Sequence, residues 1–234
     1  MEKFAADLHI HSCLSPCAGS DMTPNNIVNM AALKGLELIA VCDHNCARNL
    51  PAVQAAADAR GLLLLPGLEV ETREEVHMLA LFAALSSAMA FGEWVYAHLP
   101  PLPNRPDLFG EQLVLDENDD PIAAEPRLLI QSTALSIDEA AAACRRMGGV
   151  PVPAHINRTS NSLLANLGFI PPGPAFTALE VSANLPISGV NLSRYHVLCN
   201  SDAHTLGDIS EPIHFVPAYE RSAAGVLAYL AEKK

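Results

Sequence analysis

Short runs of apolar or alternating residues recur along the chain, separated by stretches with helical period. Segments 4–11, 37–43, 62–66, 76–82, 150–155, 177–182, 196–202 and 213–216 read as strands, each of strand length and bounded by turn residues. Several of the intervening stretches carry helix punctuation. Thr23 before Pro24 is an N-cap followed by proline at the first helical position, and Gly35 marks the end of that helix. Pro51 opens an alanine-rich helix that stops at Gly61. Ser136 and Glu139 have capping-box spacing ahead of a run that ends at Gly148-Gly149, and Ser222 starts a C-terminal helix.

Strands alternating with helices predict a parallel α/β architecture. Polar residues recur at the C-terminal ends of many strands, which favours a TIM-like barrel over a doubly wound sheet with a single switch point. Residues 86–135 break the alternation with a proline-rich stretch (Pro100, Pro101, Pro103, Pro106) and an acidic turn from Asp116 to Pro121. Segments 112–115 and 127–130 are expected to pair as a hairpin. The expectation is a single domain spanning 1–234, with an insertion at 86–135 lying over the mouth of the barrel.

Composition narrows the function. Of 234 residues, 50% are hydrophobic and 17% charged, enough for one sizeable core and unlike a disordered chain. The formal charge of −12 argues against a sequence-independent grip on nucleic acid, which needs a basic stripe. An acidic protein that handles phosphate must create positive charge locally. The apolar run at 78–91 contains two serines and is too short to span a bilayer, and no apolar signal stretch precedes Asp7. Cysteines 13, 17, 42, 46, 144 and 199 form no CxxC pair and read as reduced thiols, so a cytoplasmic protein with no membrane partner is expected.

The strongest chemical signal is Asp7-Leu8-His9-Ile10-His11. Alternate residues of a strand share a face, so Asp7, His9 and His11 point the same way. Two imidazoles so spaced can chelate one cation, with Asp7 free to orient a ring from behind. Alone, the pair would equally suit two half-buried histidines bonded to backbone. It is not alone. Asp202-Ala203-His204 repeats the alternation, Asp43-His44 ends the second strand, and Glu69 follows the Pro66-Gly67 turn. His77 opens the fourth strand and His155 ends the fifth.

These motifs (Asp7 to Ser12, Asp43-His44, Gly67-Leu68-Glu69, His77, Ala154-His155 and Ser201 to His204) resemble, in content and order, the PHP (polymerase and histidinol phosphatase) family. The resemblance implies a distorted (βα)7 barrel, two or three divalent ions such as zinc, manganese or iron, and phosphoester hydrolysis. It also implies ligand roles: His9, His11, Glu69 and Asp202 at one ion; Glu69, His77 and His155 at a second, with Glu69 bridging; His44 and His204 at a third. The family usually supplies His or Asp shortly after the His-x-His strand, where this chain has Ser15-Pro16-Cys17. Cys17 is the candidate there, with Asp21 as the fallback, and a thiolate would favour zinc or iron over magnesium.

The expected chemistry is in-line attack by metal-activated water on a small phosphorylated substrate. Glu69 and Asp43 stand with Arg158 as candidate catalytic residues, Arg158 as phosphate clamp because its planar fork follows His155 by three residues. Arg194 and His196 are weaker candidates; His98 and His214 are assigned to structure. No GxSxG elbow is present. Nucleic acid is expected as a partner only in the form of a nucleotide or short single strand. Two other readings compete: a nuclease acting on single-stranded ends, and a non-catalytic metal-binding regulator.

Overall fold

The computed structural model describes residues 1–234. Its strands are β1 (Glu2–Ile10), β2 (Leu38–Val41), β3 (Leu63–Leu64), β4 (Gly67–Glu71), β5 (His77–Leu81), β6 (Leu113–Leu115), β7 (Pro121–Ala124), β8 (Val150–Pro153), β9 (Ala178–Glu180), β10 (His196–Leu198) and β11 (Phe215–Ala218). Its helices are α1 (Pro24–Leu33), α2 (Leu50–Arg60), α3 (Leu85–Ala97), α4 (Pro106–Phe109), α5 (Ile137–Arg146), α6 (Leu163–Asn166) and α7 (Ala223–Ala231). All eight predicted strands are present, and the caps form as the sequence dictates. Thr23 accepts from the Asn26 amide, Ser136 and Glu139 complete their capping box, and Ser222 caps α7.

The architecture is α/β, but the ladders do not close into one barrel. They form separate sheets ordered β11-β1-β2-β3, β4-β5-β8, β9-β10 and β6-β7. Individual hydrogen bonds cross the gaps: Glu69 N–H to Asp43 O between β2 and β4, Ile156 N–H to Glu180 O beyond β8, and His11 N–H to Ala203 O beside β1. Nor is the pairing uniformly parallel. β4 with β5, β5 with β8, and β1 with β11 are antiparallel.

That departure positions chemistry. Because β5 runs against its neighbours, its first residue, His77, lies at the edge where β8 ends, its carbonyl accepting from Ala154 N–H. Gly67 lets β4 approach closely, since a Cβ there would meet Leu81 Cδ2 at 2.9 Å and Cys42 Sγ at 3.0 Å. The strand β4 is not among the strands expected from sequence, which places a Pro66-Gly67 turn at its start.

Alternate strand residues feed two cores. Ile39, Val41, Met78 and Ala80 join a 37-residue cluster with the buried faces of α1, α2, α3 and α5. Leu38, Ala40, Leu79, Leu81 and Val152 join a 19-residue cluster covered by Val226, Leu227 and Leu230 of α7. A helix contradicts the expected start of the insertion at 86: α3 buries Ala88, Phe91 and Val95 in the main core. The excursion begins after it. Its hairpin also differs from expectation, β6 pairing with β7 and not with 127–130, because the acidic turn closes between Asp116 and Asp120. Arg127 instead bridges Pro103.

Candidate metal centre

Six histidines separated by up to 195 residues in sequence meet at one end of the strands. Ring centroids form a continuous chain: His9 to His11 at 5.1 Å, His11 to His204 at 4.4 Å, His11 to His44 at 4.5 Å, His44 to His77 at 5.3 Å, His77 to His155 at 5.3 Å. Glu69 lies among them, its oxygens 3.0 Å from His77 Nδ1, 3.1 Å from His44 Nδ1, 3.3 Å from His9 Nε2 and 3.4 Å from His155 Nε2. Asp202 Oδ1 approaches His9 Nε2 at 3.2 Å and His11 Nε2 at 3.0 Å. Three groups have ligand atoms all within 4.8 Å of one another: His11, His44 and His204; His9, His11 and Asp202; His44, Glu69 and His77.

The rings are aimed by partners behind them. His9 Nδ1 faces the Glu180 carboxylate at 3.1 Å, His11 Nδ1 faces Ser15 Oγ at 3.1 Å, and His204 Nδ1 faces the Asp202 carbonyl at 2.8 Å. With these nitrogens acting as donors, Nε2 is turned towards the cluster in all three. His9 Nε2 and His11 Nε2 then stand 3.2 Å apart, both beside the Asp202 carboxylate. Lone pairs converging in this way require positive charge between them, from a proton or a cation.

Hydrogen bonding does not supply enough of it. His44 Nδ1, both Glu69 oxygens, His77 Nε2 and His155 Nδ1 are buried and make no hydrogen bond of acceptable geometry, although Glu69 has ring nitrogens at contact distance. Each buried polar atom left unpaired costs about 1–3 kcal/mol, so their concentration here is unfavourable without a ligand. The donor set therefore fits divalent cations. Backbone strain falls at the same place: His155 and Asp202 adopt φ of 27° and 53°.

A model of the PHP domain matches residues 7–151, more than half of the chain. The chain belongs to the PHP domain family. Over 78 residues this PHP domain is 38% identical to a 3′,5′-nucleoside bisphosphate phosphatase of Chromobacterium violaceum, a match covering 32% of the chain and 26% of that protein. It is 31% identical over 78 residues to a 5′-3′ exoribonuclease of Haemophilus influenzae, covering 32% and 27%. The matches thus span about a quarter of each relative's length. The lesion-specific endonuclease PfuEndoQ of Pyrococcus furiosus shares the fold, with a TM-score of 0.66 at 18% identity over 100% of this chain and 57% of that one.

A cavity of about 390 Å³ opens onto the cluster of this PHP domain. His44, Glu69, His77, His155, Asp202 and His204 line it, and so do Cys17 and Arg158. Cys17 thus reaches the cavity wall as an exposed thiol, outside the three tight groups. Asp21 is exposed and does not line the cavity. Arg158 pairs with the Asp202 carboxylate.

Asp43 is placed differently from the other candidates. It is 3% exposed, lies behind the cavity wall, and accepts from Ser12 N at 2.7 Å, Ser12 Oγ at 2.6 Å and Ser15 Oγ at 2.7 Å. It therefore holds the serine that orients His11. Asp7 orients no ring; it accepts from Ser201 Oγ at 2.6 Å and Ser210 N at 2.9 Å and ties down the loop carrying Asp202. His196 lies apart, against Tyr229 and the Glu232 carbonyl, and His98 packs at a tilt against Trp94 with its Nδ1 on the Trp94 carbonyl.

Sequence reading missed Glu180. Its signal was a lone acid in the apolar run Ala178-Leu179-Glu180-Val181. It is 2% exposed and also accepts from His155 N at 2.9 Å and Asn200 Nδ2 at 2.7 Å. Burial would lower the His9 pKa, but the carboxylates of Glu180, Asp202 and Glu69 outweigh it and raise His9 well above the ordinary value. Burial likewise opposes the charged form of His77, and Glu69 overrides it, raising His77 to about 10. For His44 burial prevails and the ring is held well below the ordinary range. Glu69 is held well below the carboxylate range: burial would raise it, and His77 and His9 reverse that.

Proposed function

We propose that this PHP domain is a metal-dependent phosphoesterase that hydrolyses a small phosphorylated molecule or nucleotide with water activated at two or three divalent ions. The convergence of six imidazoles, Glu69 and Asp202 around buried atoms without hydrogen-bond partners carries the reading. We assign His9, His11, Glu69 and Asp202 to one ion and Glu69, His77 and His155 to a second. His44 and His204 take a third with the Cys17 thiolate. Zinc, manganese or iron suits this donor mixture. When bound, such ions lower the pKa of coordinated water and neutralise charge on phosphoryl oxygens.

The chain's own groups do the rest. Glu180, Ser15 and the Asp202 carbonyl hold His9, His11 and His204 with Nε2 forward. Arg158, on the cavity wall, presents its fork to a phosphoryl group. Asp43 is a positioning residue, acting through Ser15 on His11. Ser12 and Ser15 both donate to Asp43 from buried positions, so neither hydroxyl is a free nucleophile. We take the domain as one distorted barrel over 1–234, with the excursion after α3 at the rim of the site, where Ile130 reaches the cavity.

The −12 charge favours a small substrate over long nucleic acid. The test is metal analysis of protein purified without chelator, followed by a phosphoester panel that includes sugar phosphates, nucleotides and a short single strand. Metal-dependent phosphate release is expected. A fully loaded protein inert towards every ester would refute the proposal and favour a regulator; attack on the oligonucleotide alone would favour the nuclease.

A further inference from the structure

A second cavity, of about 560 Å³, adjoins the histidine-lined one, and Arg158 is the residue common to both walls. Loops following β9 and β10 and preceding β11 form it, so it opens at the strand ends that carry the cluster. Its volume lies within the roughly 300–1,000 Å³ of ligand sites, whose linings are mostly apolar. This lining is the reverse: 4 of 15 residues are hydrophobic, and His214 is the one aromatic ring.

Its charges cancel. Lys34 and Arg158 face Asp208 and Glu211, and the Lys34 ammonium is already engaged by the Gly207 carbonyl at 3.0 Å, the Ile209 carbonyl and Glu211 at 3.2 Å. Ser201 donates to Asp7, and both ends of the Asn200 amide are occupied, by Leu8 N–H and by Glu180. What remains for a ligand are the hydroxyls of Ser182 and Ser210, the Asn184 amide, the His214 ring, and the free carboxylate oxygens of Asp208 and Glu211, which accept from hydroxyl groups. The serine hydroxyls and the asparagine amide both donate and accept, and the carboxylates accept.

We propose that this cavity binds the alcohol portion of the phosphoester and that this portion is polyhydroxylated, a sugar or polyol, with Arg158 at the junction on the phosphoryl group. Neutral donor–acceptor groups match hydroxyls. A second phosphate would find no free cation, since Lys34 is engaged and Arg158 already pairs with Asp202, and it would meet Asp208 and Glu211; a nucleobase would find no broad aromatic face to stack on. The inference rests on the phosphoesterase reading and narrows its substrate class.

The full chain loaded with manganese is assayed on a hexose 6-phosphate, an adenosine monophosphate and a nucleoside 3′,5′-bisphosphate. A site built to hydrogen-bond hydroxyls should favour the sugar ester at least about tenfold in kcat/KM. Asn184→Trp, at an exposed loop position, fills the cavity and should raise KM for the sugar ester about tenfold. Competitive inhibition by inorganic phosphate, which needs only the first cavity, should stay unchanged. Equal or better turnover of either nucleotide overturns the inference, as does an unmoved KM in Asn184→Trp or a parallel loss of phosphate inhibition. If no ester at all releases phosphate, the phosphoesterase reading fails, and this one with it.

Discussion

Replacing Glu180 by glutamine keeps its shape and removes its charge, in a place where every neighbour is a donor. Oε1 takes the His155 amide at 2.9 Å, Oε2 takes Asn200 Nδ2 at 2.7 Å, and His9 Nδ1 lies 3.1–3.2 Å from both. Whichever way the glutamine amide turns, its NH2 meets a donor. Asn200 cannot flip to relieve the clash, because its Oδ1 accepts from Leu8 N–H at 3.0 Å. One unsatisfied buried group costs about 1–3 kcal/mol, which in a chain of this size lowers Tm by roughly 2–12 °C. The loss should extend to the metal. Removing an outer partner of a ligating imidazole weakens binding about 10–100-fold, or about 1.4–2.8 kcal/mol. Thermal unfolding of the metal-free protein reads the first effect, and titration with zinc against a competing chelator reads the second. Glu180→Gln binding zinc as tightly as the parent protein would show that His9 does not depend on this carboxylate, and the ligand assignment at His9 would go with it.

Other outcomes follow from the same geometry. In metal-free protein His77 keeps its proton to about pH 10 against an ordinary 6.5, so its stabilising contribution is complete below 6.5 and is lost as pH rises towards 10. The urea midpoint should fall across that window and fall less in His77→Asn, while zinc affinity rises over the same range because the ion displaces that proton; a parent midpoint that climbs would contradict this. Arg158→Lys keeps the charge but not the fork, and kcat/KM should drop roughly 10–100-fold, measured on any ester the protein cleaves. Cobalt-loaded protein should show a near-ultraviolet sulfur-to-metal band that Cys17→Ser abolishes, and a band that survives the substitution removes Cys17 from the third site.

How much of this was legible depends on how local each determinant is. His9 and His11 share a face because a strand has period two, and that needs no knowledge of partners. Thr23-Pro24 and Ser136 with Glu139 mark helix starts by contacts spanning three residues. The order of the motifs along the chain identified the family before any coordinates. Residue type at strand ends was therefore enough to nominate the six histidines, Glu69 and Asp202, all of which converge.

Tertiary structure decided the rest. That Glu180 stands behind His9, 171 positions away, depends on where β9 sits relative to β1, which neither segment encodes alone. From sequence Asp202 is a candidate ligand and Asp43 a candidate catalytic residue; register brings Asp202 into the cluster and places Asp43 behind it as the support for Ser15. The antiparallel run of β5, the open ladders, the hairpin partner of β6 and the second cavity beside Arg158 likewise follow from sheet order and loop packing. Side-chain direction within an element is set by its own backbone angles, whereas the atom it faces is set by the register of chain hundreds of bonds away.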